Sequence, residues 1–249
     1  MAETDMIKGH SRFLDDFSGP FSSATSGLIA SKCIYTTGDG ATVTRLAING
    51  GAARLTIAAD EADVASVFGP RQYEPDEAGL VVMQVRVRIN TAIASSSVFI
   101  GFTDSDADTR VAENEDGVLD IIATDLFGVL LEAEQDGTLG SIGAGNDVDD
   151  VFVAFTNMEA DWANAEWHTI RIEADSGGNT ARTLVRMRVY VDGKVMNQGT
   201  SDDALGWRSL TARSSIVYCP VVSADARAVA YTVDIAELYS DGGIGIVFD

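Results

Sequence analysis

The stretch Trp167-His-Thr-Ile-Arg-Ile-Glu-Ala-Asp175 decides the fold class together with its continuation. After Ser176-Gly-Gly-Asn179 the chain resumes as Leu184-Val-Arg-Met-Arg-Val-Tyr-Val-Asp192-Gly193. His168, Ile170, Ile172 and Ala174 alternate with Thr169, Arg171 and Glu173. Val185, Met187, Val189 and Val191 alternate with Arg186, Arg188 and Tyr190. A period of two puts the apolar set on one face of a strand and the polar set on the other. The Gly-Gly join between two such strands reads as an antiparallel hairpin.

The same period extends outward from this hairpin. Val81, Met83, Val85, Val87 and Ile89 alternate with Val82, Gln84, Arg86 and Arg88, and Val229, Tyr231, Val233 and Ile235 repeat the pattern near the end. Residues 97–103 and 126–132 are apolar runs of strand length. Further strands are expected over 12–17, 33–37, 42–48, 53–58, 138–142, 151–154, 194–197 and 216–222, with Gly, Asp and Asn between them as turns require. Short helical patterns fall at 60–67, 157–165 and 201–210. Many short strands with few helices predict an all-β, antiparallel two-sheet sandwich or a barrel. No Pro- or Ser-rich linker divides the 249 residues. One domain over 12–240 is expected, with an N-terminal arm at 1–11 and a C-terminal tail at 241–249.

Charge narrows the function classes. Seventeen Lys and Arg stand against 38 Asp and Glu, a net charge of −21. That balance argues against nucleic acid and against an anionic membrane as partners. The opening residues have neither the basic nor the apolar region of a secretory signal, and no apolar run reaches the ~20 residues of a membrane helix. Cys33 and Cys219 form no CxxC pair, and His10 and His168 are the only histidines. Zinc chemistry and a Ser-His-Asp triad therefore lack their residues. His168 shares its face with Ile170 and Ile172 and is expected in the core.

Three segments in order carry a resemblance. Residues 81–104 give an alternating strand and then Val-Phe-Ile-Gly-Phe-Thr-Asp. Residues 123–145 give Ala-Thr-Asp-Leu-Phe-Gly-Val-Leu-Leu, an acidic turn and a Gly-rich strand. Residues 167–193 give the strand–turn–strand–Asp-Gly pattern. Together they resemble concanavalin A-like (laminin-G-like) jelly rolls, and in particular the jelly-roll structural proteins of tailed-phage virions. Phe13-Leu-Asp-Asp-Phe17 resembles the usual first strand of that fold, and Tyr231-Thr-Val-Asp-Ile-Ala-Glu-Leu-Tyr239 the usual last one. The resemblance implies two stacked antiparallel sheets with the first and last strands close together. It further implies a non-enzymatic virion protein that decorates the capsid exterior, assembled in the host cytoplasm. The partners would be the major capsid protein and further copies of the chain, in a homo-oligomer such as a trimer. A lectin-like carbohydrate-binding module is the alternative, and a glycoside hydrolase a third reading.

Four groups of residues are candidates for sites. Arg86, Arg88, Arg171, Arg186 and Arg188 fall on the polar faces of strong strands, either paired with neighbouring acids or forming a docking face for a capsid or a sister subunit. Trp162 and Trp207 lie in irregular polar segments and suit stacking on sugar rings, whereas Trp167 opens a strong strand and is expected in the core. Asp104, Asp106, Asp108 and Glu115 match positions 1, 3, 5 and 12 of a calcium loop, although Thr109 stands where the sharp turn wants Gly. Calcium is the one cofactor considered. Glu132, Glu134 and Asp136 are spaced like a glycosidase carboxylate trio, but with the middle and last residue types exchanged.

Overall fold

A computed structural model describes residues 10–18, 26–28, 34–38, 40–46, 48, 51–59, 63–91, 96–105, 112–115, 118–121, 123–132, 138–146, 148–157, 164–178, 183–198, 206–225 and 229–243. The decisive hairpin forms as read. His168–Asp175 and Val185–Val191 pair antiparallel, with Arg171 opposite Tyr190 and Glu173 opposite Arg188. Gly177 and Gly178 turn the chain between them at φ of 59° and 72°, a left-handed conformation that side chains with a Cβ resist.

Two antiparallel sheets are stacked on this frame. Across the first run Lys194–Val195, Val185–Val191, His168–Asp175, Val81–Ile89, Tyr231–Gly243, Ala52–Ile57 and Thr42–Leu46. Trp207–Leu210 pairs with Val185–Val191, and His10–Asp15 pairs with Tyr231–Gly243. First and last strands are thus neighbours, as the resemblance implies. Among the described residues the paired strands run from His10 to Gly243, against an expected domain of 12–240. The second sheet runs Val148–Asp149, Thr138–Gly145, Asp125–Glu132, Ser97–Thr103, Cys219–Asp225, Val64–Phe68, Ile34–Gly38 and Ser26–Leu28, with Val153–Ala154 beside Thr138–Gly145. A small hairpin, Ala112–Glu115 with Val118–Ile121, lies against Asp125–Glu132 and Ser97–Thr103.

Strand Tyr231–Gly243 pairs with three strands. Its register against Val81–Ile89 shifts between Ile235 and Glu237. Residues before this bulge pair with Ala52–Ile57 and those after it with His10–Asp15. The extra residue ends the alternation at Ile235 and restarts it at Leu238, which points inward and is fully buried.

The core lies between the sheets. Met83, Val85 and Val87 face Ile100, Phe102, Phe127 and Val129 in one continuous cluster. Phe102 stacks on Phe127 at 5.0 Å, and Tyr73 and Tyr218 meet this pair edge-on. Each such side chain contributes about 1.5–3 kcal/mol by leaving water. Arg208 joins the layers from the short strand Trp207–Leu210. Its guanidinium is buried and donates to the carbonyl and hydroxyl oxygens of Ser141, each at 2.8 Å, and to the Val151 carbonyl at 2.8 Å.

The helical expectations need correction. Val64–Phe68 is a strand with all five residues buried, and Trp207–Leu210 is an edge strand. Short apolar runs buried on both faces lack the alternation that separates strand from helix. Residues 156–157 and 164–165 are turns. Residues 158–163 and 199–205 lie outside the described set. Among the described residues the sole helical turn is Pro75–Ala78, with Pro at its start.

Candidate functional site

The two sheets present different outer faces. The outward positions of the second sheet are buried: Phe68, Phe99, Leu126, Leu130, Ile142 and Val221 form a second apolar cluster, with Ser66 bonded to Ser223 and Ser97 to Glu132 on the same side. The first sheet alternates buried with partly exposed residues along Val81–Ile89 and Val185–Val191. Among the described residues, the polar sheet face open to a ligand is therefore that of the first sheet.

Cross-strand register brings the five expected arginines together on that face. One row runs Trp207, Arg188, Glu173 and Val82; the next runs Tyr190, Arg171, Gln84 and Tyr239. A third places Thr169, Arg86 and Glu237 side by side, and Arg88 lies beside Asp234, itself beside Arg54. Most of these cations are neutralised across strands. Glu173 receives Arg188 at 2.6 Å and Arg171 at 2.9 Å. Asp175 receives Arg186 at 2.9 Å, and the fully buried Asp234 receives Arg54 at 2.6 Å and Arg88 at 2.8 Å. Burial pushes the Glu173 and Asp234 carboxyls up, but the arginine hydrogen bonds outweigh it and both titrate below their ordinary values.

Arg86 differs from the other four. It is exposed, and among the described residues its one side-chain partner is the Trp167 ring, 5.0 Å from the guanidinium carbon. Glu237 is its cross-strand neighbour without an ion pair between them. Trp167 also lies 4.7 Å from Arg88. Trp207 is placed likewise, 4.5 Å from Arg186 and 4.6 Å from Arg188, and only 9% of it is exposed. Two indoles and four guanidiniums thus form a ladder across the sheet. Outward strand positions carry Arg12, Arg54, Arg86, Arg88, Arg171, Arg186 and Arg188 against Glu173, Asp175, Asp234, Glu237 and Asp241. Among the described outward strand positions the arginines therefore exceed the carboxylates by two, on a chain of net −21. Glu166, before His168–Asp175, and Asp192, after Val185–Val191, are exposed and offset that excess at the strand ends.

Several expected placements change. Trp167 is not in the core: it lies half-buried in the ladder, because it stands one residue before the strand, at the row of Arg88. His168 is half-buried and its Nδ1 lies 2.7 Å from the Asp192 carboxylate, rather than being enclosed by Ile170 and Ile172. Trp207, expected to stack on sugar, has its ring flanked by guanidiniums. Trp162 lies outside the described residues.

Of the calcium set, Asp106 and Asp108 lie outside the described residues, and only the backbone of Glu115 is described. Asp104 is half-buried and accepts the Asp125 amide at 3.1 Å, and desolvation raises its pKa. Among the described residues no cluster of three metal-ligating side chains occurs. Glu132 is fully buried and accepts Ser97 Oγ at 3.0 Å. Glu134 and Asp136 lie outside the described residues.

No protein-family model and no curated protein sequence matches the chain. Solved structures do. The carbohydrate recognition domain of Emp47p matches with a TM-score of 0.56 at 15% identity, over 97% of this chain and 100% of that one. Peanut lectin in complex with a nine-residue peptide matches at 0.53 and 10% identity, over 96% and 100%. The exoplasmic/lumenal domain of VIP36, in a form bound to Ca2+ and Man3GlcNAc, matches at 0.50 and 6% identity, over 89% and 86%. These similarities show the lectin-type, concanavalin A-like sandwich. They lend no support to a phage shell, a capsid partner or a homo-oligomer.

Proposed function

We propose that the chain is a non-catalytic carbohydrate-binding module. The observation that carries this reading is similarity over nearly the whole chain to a carbohydrate recognition domain and to a plant lectin. The sites support it. Glu132, the one described member of the carboxylate trio, is enclosed with Ser97 and out of reach of a glycosidic bond. The first sheet instead offers an open face of arginine, tyrosine and carboxylate side chains, the donors and acceptors that read sugar hydroxyls.

A glycan array probed with the purified full chain tests this. Binding to a defined set of oligosaccharides, with no reducing sugar released from them, is the expected result. No binding to any glycan, or hydrolysis of one, overturns the reading. Running the array with calcium and with a chelator tests the 104–115 segment. Loss of binding in chelator would assign calcium a part in recognition.

A further inference from the structure

We propose that the Arg86 end of the ladder binds the anionic group of an acidic sugar, a uronate carboxylate or a sulfate ester, within a sparsely charged glycan. This rests on the carbohydrate-binding reading and names the ligand class for it. Three observations carry it. First, Arg86 is exposed and among the described residues has no ion-pair or hydrogen-bond partner, whereas Arg88, Arg171, Arg186 and Arg188 each face a carboxylate. Its N–H donors are therefore available to a ligand. Second, its guanidinium is held against Trp167, as that of Arg88 is. A stacked guanidinium loses less freedom when it binds, and its planar fork matches a carboxylate or sulfate edge. Third, Thr169 flanks Arg86 across one strand and places a hydroxyl donor beside the anion, while Glu237 across the other can accept only from a sugar hydroxyl and so favours one anionic group over several.

Charge limits the ligand. The arginine excess on the strands is small and local, and the rest of a chain of net −21 repels a dense polyanion. Charges farther from the anion than the ~8 Å screening length at physiological salt count little, so within that distance the local field of the face decides. One acidic residue in an otherwise neutral sugar environment fits; a nucleic acid strand does not.

The test compares hyaluronan tetrasaccharide, its carboxyl-reduced neutral form and a keratan sulfate tetrasaccharide by calorimetry. An acidic probe should bind at least tenfold more tightly than the neutral one. Arg86→Ala and Arg86→Gln should remove that preference without moving the melting temperature. Arg12→Ala, at the far corner of the same sheet, should retain it. Stronger binding of the uronate or of the sulfate probe each supports the proposal and identifies the anion. Equal binding of acidic and neutral probes, or a preference that survives both Arg86 variants, overturns it and leaves glycan binding standing. Displacement of the sugar by an equimolar single-stranded oligonucleotide also overturns it. If neither these probes nor any array glycan binds, the carbohydrate reading falls with it.

Discussion

Arg188 and Glu173 face each other directly across neighbouring strands, with Nη2 and Oε2 2.6 Å apart. The Glu173 side chain is only 8% exposed, and Arg171 and Tyr190 also reach it. Removing this acceptor leaves partly buried guanidiniums without their anion. Glu173→Ala should lower stability by about 3 kcal/mol, at the low end for breaking a buried ion pair from one side. Urea denaturation measures it. A change under about 0.5 kcal/mol would mean that the pairs behave like ordinary surface ion pairs.

The same acids set the response to pH. Glu173 and Asp234 titrate below their ordinary values of 4.5 and 3.8 in the folded chain. Their contribution is therefore complete above those ordinary values and is lost as pH falls through the lowered ones. Asp104 has the opposite sign: burial raises its pKa above 3.8, so its charged form opposes folding and acid relieves the strain. Melting temperature should fall below pH ~4.5. Glu173→Gln and Asp234→Asn should flatten that slope, whereas Asp104→Asn should steepen it and be neutral or stabilising at pH 7. An unchanged slope in the first two variants would assign acid sensitivity elsewhere.

The sequence pattern was informative where a sheet has one wet face. Val81–Ile89 and Val185–Val191 bury every second residue, so their alternation and the outward arginines were legible. The second sheet is buried on both faces, and Val64–Phe68 therefore reads as an apolar run with no period. The ladder was half legible. Alternation located the arginines, but which indoles meet them depends on long-range pairing. Trp207 reaches Arg188 only because Trp207–Leu210 returns as an edge strand, and Trp167 joins Arg86 and Arg88 through the neighbouring-strand register. Arg208, one residue from Trp207, points to the opposite face and bridges the sheets; no local motif marks it.

Asp125 depends on Arg213. Its side chain is fully buried and accepts the Arg213 backbone amide at 3.0 Å, while the guanidinium meets both carboxylate oxygens through Nε and Nη2. Arg213→Met retains the stem but strands a buried carboxylate, and should lower stability by about 3–5 kcal/mol. Pairing it with Asp125→Asn should recover part of the loss, because the amide can still accept the backbone N–H. Absence of any recovery in the double variant, by chemical denaturation, would show that the loss comes from the missing guanidinium hydrogen bonds and packing rather than from a stranded charge.

Gly101 and Gly128 face each other across Ser97–Thr103 and Asp125–Glu132. A Cβ on Gly101 would overlap the Phe127 carbonyl oxygen and come within 2.7 Å of the Gly128 Cα; one on Gly128 would overlap the Ile100 carbonyl and meet the Phe99 ring at 2.9 Å. Backbone cannot yield here without breaking the ladder of hydrogen bonds. Gly101→Ala and Gly128→Ala should each cost about 3 kcal/mol, the upper end for overpacking. Because the two positions share one clash, the double variant should lose less than the sum of the single variants. Glycan binding per folded molecule should be unchanged in both single variants, since the overlap lies on the second sheet and the arginine face on the first. A single variant that keeps full stability while losing glycan binding would instead put the ligand on the second sheet.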